Sequence, residues 1–140
     1  MRTQQNLFSS DVLEEGRFIQ EKQMDINQAI MAHMNWKQKF RSHLDGKEKL
    51  DAATVKRSDA CELGKWLAGE GAAHAKLPEF AAVREKHADF HRTAGSVLVS
   101  AEKLSKDESL KLIEWSSEFG KATNACVNAL AALRDKLAKQ

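Results

Sequence analysis

The stretch from Glu79 to Lys103 reads EFAAVREKHADFHRTAGSVLVSAEK. Phe80, Val83, His87, Phe90, His91, Ala94, Leu98 and Ala101 recur in it at steps of mostly three and four, which is one face of an α-helix and not the alternation of a strand. His87 and His91 therefore lie one turn apart on the inward stripe. Pro78, just before them, suits the first position of that helix.

The same period continues outward in both directions. Upstream, Ile19, Ile26, Ile30, His33, Phe40 and Leu44 predict an amphipathic helix from about residue 11 to 44, with His33 facing inward. Ser9 or Ser10 would cap it, Asp11, Glu14 and Glu15 suit its start, and Gly16 is its soft point. Downstream, Ser105-Lys106-Asp107-Glu108 is a capping box that predicts a last helix to about residue 138. Its stripe is Leu112, Ser116, Phe119, Thr123, Cys126, Leu130, Leu133 and Leu137.

Between the first two long segments, residues 45–57 read as a polar connection. Ser58 or Asp59 then caps a short helix to about Leu67, Glu62 completing a capping box from Asp59. Cys61 falls in its first turn, where free backbone N–H groups favour a thiolate. Gly69-Glu70-Gly71 ends it. The predicted architecture is all-α: a four-helix bundle with a short inserted helix carrying the cysteine.

Composition agrees. A chain of 140 residues supports one sizeable core, and one proline, no tyrosine and seven glycines argue against a turn-rich β fold. A net charge of +2 gives no basis for nucleic acid or an anionic membrane as partner. No apolar run approaches the roughly 20 residues that span a bilayer. Met1-Arg2-Thr3-Gln4-Gln5-Asn6 lacks the apolar core of a secretory signal, so a cytoplasmic location is expected. There the two cysteines point to metal, redox chemistry or burial ahead of a disulfide. Dinucleotide-binding glycines, a phosphate loop, a haem-attachment motif and a nucleophile with its base are all missing, so no enzyme is expected.

Three histidines and a cysteine, His33, Cys61, His87 and His91, are the donors zinc prefers, in the number a closed tetrahedral site needs. Two accounts stand at this point. Histidines on apolar stripes are commonly hydrogen-bonded core residues, and a structural or adaptor bundle that dimerises needs nothing more. On the other hand, buried imidazoles one turn apart repel when charged, and a metal holds both neutral through their lone pairs. A thiolate selects zinc over magnesium or calcium. A di-iron centre would need carboxylates that the inner stripes lack. His43 beside Asp45-Gly46 reads as solvent-exposed, His74 as surface or site-supporting, and Cys126 as a small buried hydrophobe. Trp36 and Trp66 read as groups that seal the site from water, and Trp115 as packing or interface.

His33 followed by Trp36-Lys37, the segment Cys61-Glu62-Leu63-Gly64-Lys65-Trp66-Leu67, and His87-Ala88-Asp89-Phe90-His91 together resemble the chemoreceptor zinc-binding (CZB) family. The resemblance runs from about Asp25 to the end of the last helix. It implies a site of one Zn2+ on His33, Cys61, His87 and His91, with Trp36, Gly64, Trp66 and Phe90 packed around it and Cys61 as redox switch. It also implies a cytoplasmic, commonly homodimeric bundle that regulates a bacterial chemoreceptor or diguanylate cyclase in response to zinc or oxidants. Neither a receptor's signalling hairpin nor a cyclase domain is visible, so a stand-alone member or a fragment of a longer protein is expected. The expected organisation is an N-terminal extension over 1–24, helical from about 11, and a zinc-binding domain over 25–138.

Overall fold

The computed structural model describes residues 24–139, and within them every regular element is helical. In chain order these are α1 (Ile26–Met34), α2 (Trp36–Leu44), α3 (Ala52–Val55), α4 (Glu62–Ala68), a 3-10 turn (Glu70–His74), α5 (Pro78–Ala101), α6 (Lys106–Lys111) and α7 (Glu118–Ala138). α5 is the central rod: α7 and α3 pack along it, while α1 packs against α7. The result is the expected helical bundle, with the cysteine on a short inserted element.

The core is the stripe pattern made solid. Phe80, Val83, Phe90 and Ala94 of α5 and Cys126, Leu130 and Leu133 of α7 are fully buried. Phe119 meets Phe40 edge to face at 5.0 Å between ring centroids, and Phe90 in a tilted pair at 5.5 Å. Each such ring removes enough apolar surface from water to stabilise the fold by roughly 1.5–3 kcal/mol.

Where the chain departs from a plain reading of periodicity, a side-chain hydrogen bond is responsible. Among the described residues, the single helix expected over 11–44 does not run through Met24 and Asp25, and α1 begins at Ile26. Asp25 has extended backbone (φ −85°, ψ 101°), and its carboxylate accepts the Gln28 N–H, which is an N-cap. The expectations for Ser9, Ser10, Gly16 and Ile19 lie outside the described residues. At Asn35 the remaining segment is divided into α1 and α2, two residues after His33, whose ring bonds the Ala29 carbonyl of the same helix. The Asn35 carbonyl is then shared by the N–H groups of Gln38 and Lys39.

The capping box of Ser105 and Glu108 is present with both of its bonds, and Pro78 occupies the first turn of α5. The helix the box opens nevertheless stops at Lys111, and α7 restarts after Ser117, whose hydroxyl accepts the Gly120 N–H at 3.1 Å. Leu112, Ser116 and Phe119 keep helical spacing across that break, which disguised it. Ile113 is the buried residue there, and Ser116 is exposed. Residues 45–57 are likewise more ordered than a connection: Asp51 caps α3 by accepting the Thr54 N–H and hydroxyl, and Val55 is buried. No helix among the described residues is long and apolar enough to cross a membrane.

Because Ser117 alone holds the start of α7 in this way, Ser117→Ala is expected to destabilise the fold by about 1 kcal/mol. Ser116→Ala, on the exposed side of the same turn, should stay within about 0.5 kcal/mol of the parent. Urea unfolding followed by circular dichroism measures both.

Candidate metal centre

Four donors from four places in the chain meet at one point beside α5. His87 and His91 come from successive turns of α5, His33 from the end of α1, and Cys61 from the residue preceding α4. The three rings are buried to 3% exposure or less, whereas Cys61 is half-buried. Ring centroids are 4.5 Å apart for His87 and His91, 5.0 Å for His33 and His87, and 5.8 Å for His33 and His91. Cys61 Sγ lies 3.1 Å from His87 Nε2. One donor atom from each of the four residues falls within 4.8 Å of the others.

Backbone carbonyls fix two of the rings. His33 Nδ1–H donates to the Ala29 carbonyl at 2.7 Å, and His91 Nδ1–H donates to the Val55 carbonyl at 2.8 Å. A carbonyl only accepts, so each ring carries its proton on Nδ1 and presents an Nε2 lone pair to the centre. Those two Nε2 atoms are buried and have no hydrogen-bond partner. An unsatisfied buried polar atom costs about 1–3 kcal/mol, so a cluster built this way is expensive unless something fills it. Zinc fits the donors. With bonds of about 2.0–2.1 Å to nitrogen and about 2.3 Å to sulfur it sets donor separations near 3.5 Å, the scale of this cage.

Electrostatics point the same way. Burial, reinforced by the His91 and His33 neighbours, pushes His87 down to about 3. Burial also lowers His33 and His91, in each case partly opposed by the carbonyl that the ring bonds. All three imidazoles are thus neutral at physiological pH, the form that ligates.

The local reading of Cys61 needs correction. Cys61 does not sit in the first turn of a helix capped by Ser58 or Asp59; it is itself the N-cap of α4, its sulfur accepting the Gly64 N–H at 3.4 Å. Asp59 is engaged instead by Arg57 at 3.1 Å. Nor does the helix start favour a thiolate on its own: burial raises the Cys61 thiol, outweighing the N–H groups of Gly64 and Leu63. A cation among the donors reverses that balance. The spacing Cys-x-x-Gly has a steric origin as well, since a Cβ at Gly64 would lie 1.8 Å from the Ser58 carbonyl oxygen.

Around the cage, Phe90 stands edge-on to His33 at 5.0 Å and Trp36 to His91 at 6.2 Å. Trp66 sits further out, against Phe80 and His74. Both tryptophans line a cleft of about 820 Å³ that His33 and Cys61 also border. His43 is not solvent-exposed as expected: half-buried, its Nδ1 accepts the Leu50 N–H at 3.0 Å and clasps the 45–50 turn. Cys126 is a core residue with no exposure, its thiol pushed up to about 12 by burial. Trp115 is 49% exposed, with the Lys37 ammonium 4.8 Å from its ring centre. Sequence reasoning missed the carbonyls of Ala29 and Val55 because a backbone group leaves no residue signature. Asp51 ahead of Ala-Ala-Thr was the one signal for the helix that places Val55.

Fold and site together define a helical domain with a preformed three-histidine, one-cysteine cage. Residues 33–98, a span that begins at His33 and contains the other three donors, match the chemoreceptor zinc-binding domain family, the one that the motifs resemble. No curated protein and no solved structure matches the chain.

The depressed imidazoles give the metal-free protein a defined acid response. Unfolded histidines take up protons near 6.5, while the folded ones do so only at lower pH, His87 at about 3. Stability is therefore complete above 6.5 and is lost progressively as pH falls below it. With chelator present, the melting temperature should be flat from pH 8 to 7 and should already drop between 6.5 and 5, above the range where most carboxylates titrate. A scanning fluorimetry series across that range measures it.

Proposed function

We propose that residues 25–138 are a zinc-binding sensor domain in which His33, Cys61, His87 and His91 hold one Zn2+. The observation that carries this reading is the pair of buried, partnerless Nε2 atoms on His33 and His91, aimed at the same point as Cys61 and His87. Four protein donors leave no open position for a substrate, so the centre serves regulation and not catalysis. Bound zinc supplies the positive charge that keeps the sulfur a thiolate beside three neutral imidazoles.

Cys61 is the element of response. It is the half-exposed donor, it borders the cleft, and its sulfur caps the seven-residue α4. An oxidant such as hypochlorous acid transfers oxygen to the sulfur, leaving a sulfenic acid and chloride. The sulfur then leaves the cage and α4 loses its cap, while the three histidines stay on α1 and α5. Loss of zinc frees the same element. The glycines at 64, 69 and 71 ease the movement, and the altered surface is what a partner reads. The partner is a chemoreceptor or a diguanylate cyclase, on a second chain or on a further part of this one, and the domain acts as a cytoplasmic homodimer with residues 1–24 as its extension.

One observation favours a second reading, a structural or adaptor bundle that dimerises without a metal-dependent switch. Met31 and Met34 on α1 are 68% and 48% exposed, an apolar strip suited to docking whatever the cage contains.

Metal analysis of purified protein separates the two: about one zinc per chain supports the sensor, and none removes it. Cys61→Ser should weaken zinc binding at least about 100-fold while helicity is retained, because the bundle core does not include the sulfur. Amide exchange after chelator or hypochlorous acid should rise over 58–71 and remain low across α5; unchanged protection over 58–71 removes the switch.

A further inference from the structure

We infer that Gly95 is a positioning residue for His91: by letting the end of α3 lie directly against α5, it keeps the Val55 carbonyl within hydrogen-bond distance of the His91 ring. The inference rests on the metal-binding reading above and specifies how the chain prepares one donor for the ion.

Gly95 follows His91 by four residues, so both face α3 from the same side of α5. Gly95 is buried, and a Cβ there would lie 2.9 Å from Lys56 Cβ, 3.3 Å from Lys56 Cα and 3.4 Å from Lys56 Cγ. Lys56 is the residue directly after Val55, at the C-terminal cap of α3. The atoms in the way are backbone and the root of a side chain, which cannot swing aside; α3 itself must move. Restoring ordinary contact takes about half an ångström, in the direction that carries α3 away from α5. The bond from His91 Nδ1–H to the Val55 carbonyl, now 2.8 Å, then stretches towards the limit of a useful hydrogen bond.

That bond does two things. It holds the proton on Nδ1, so that Nε2 is the free lone pair, and it fixes the plane of the ring. Partners of this kind are worth 10–100-fold in metal affinity at histidine sites generally. α3 has only four residues, and Asp51 secures its other end through Thr54. A short exposed capping residue thus lies on the same line of support as a buried glycine.

The test uses the full chain with zinc as the probe. In the metal-free protein, long-range proton–nitrogen spectra of the histidines report each ring's tautomer. Wild type should show His91 and His33 both protonated on Nδ1. Gly95→Ala should give a mixture of tautomers at His91 with His33 unchanged, keep its helicity, and bind zinc 10–100-fold more weakly in competition with a chelating dye. Adding Lys56→Gly to Gly95→Ala removes Cβ and Cγ of Lys56, including the tightest of the contacts the new methyl meets, leaves only Cα at 3.3 Å, and should restore most of both signals. If Gly95→Ala does not fold, Asp51→Ala decides, since it loosens α3 from its exposed end and should move His91 and zinc affinity in the same direction by a smaller factor. A wild-type tautomer at His91 in Gly95→Ala overturns the inference, as does a shifted tautomer with unchanged zinc affinity. A wild type that binds no zinc overturns the sensor reading instead, and the tautomer spectra still report whether Gly95 orients the ring.

Discussion

Two nitrogen lone pairs buried with nothing to accept from are the constraint around which this molecule is arranged. His33 and His91 each donate from Nδ1 to a carbonyl of the main chain, which forces Nε2 to the opposite side of the ring, into the interior. A core that merely tolerated histidines would satisfy both nitrogens or leave one in water. Here the main chain spends one of its own acceptors on each ring in order to aim the other nitrogen. The cost of that arrangement in a metal-free protein is what makes the cage receptive to a cation.

The scaffold divides its work accordingly. α5 is at once the centre of the apolar core and the bearer of two donors: Phe80, Val83, Phe90 and Ala94 share a stripe with His87 and His91. Donors on such a rod are held as firmly as the core itself. Cys61, by contrast, belongs to a seven-residue helix whose cap is the sulfur. The deeply buried donors and the half-buried one therefore belong to different elements.

How much of this was legible in the residues depends on whether a side chain or the main chain carried the information. The steps of three and four through Phe80, Val83 and His87, with Pro78, gave the long central helix, and the Ser105–Glu108 box gave a true helix start, because each is a local preference that packing reinforces. The four donors were legible as candidates through residue type, and as a set through the family resemblance that the Cys-x-x-Gly segment carries, a spacing that the contact between Gly64 and Ser58 requires. Periodicity misled where a hydroxyl or a carboxylate overrode it: at Asp25, which starts α1, and at Ser117, which restarts α7 while Leu112 and Phe119 keep their phase. The support for His33 and His91 was illegible altogether, since it comes from carbonyls that every residue possesses. The tryptophans were read as a seal because they neighbour the donors in sequence; Trp36 stands against His91, while Trp66 faces His74 and Phe80, and both line the cleft beside Cys61.

The donors are also far apart along the polymer: 28 residues separate His33 from Cys61, and 26 separate Cys61 from His87. An ion that joins them pins two loops of that length, removing from the unfolded ensemble the freedom a disulfide of similar span would remove, about 3–4 kcal/mol for one such loop. Unlike a disulfide, that restraint persists in a reducing medium and can be withdrawn without cutting a covalent bond. Placing the donors on three separated segments would thus make occupancy of the cage a reversible determinant of how tightly residues 33–91 are tied together.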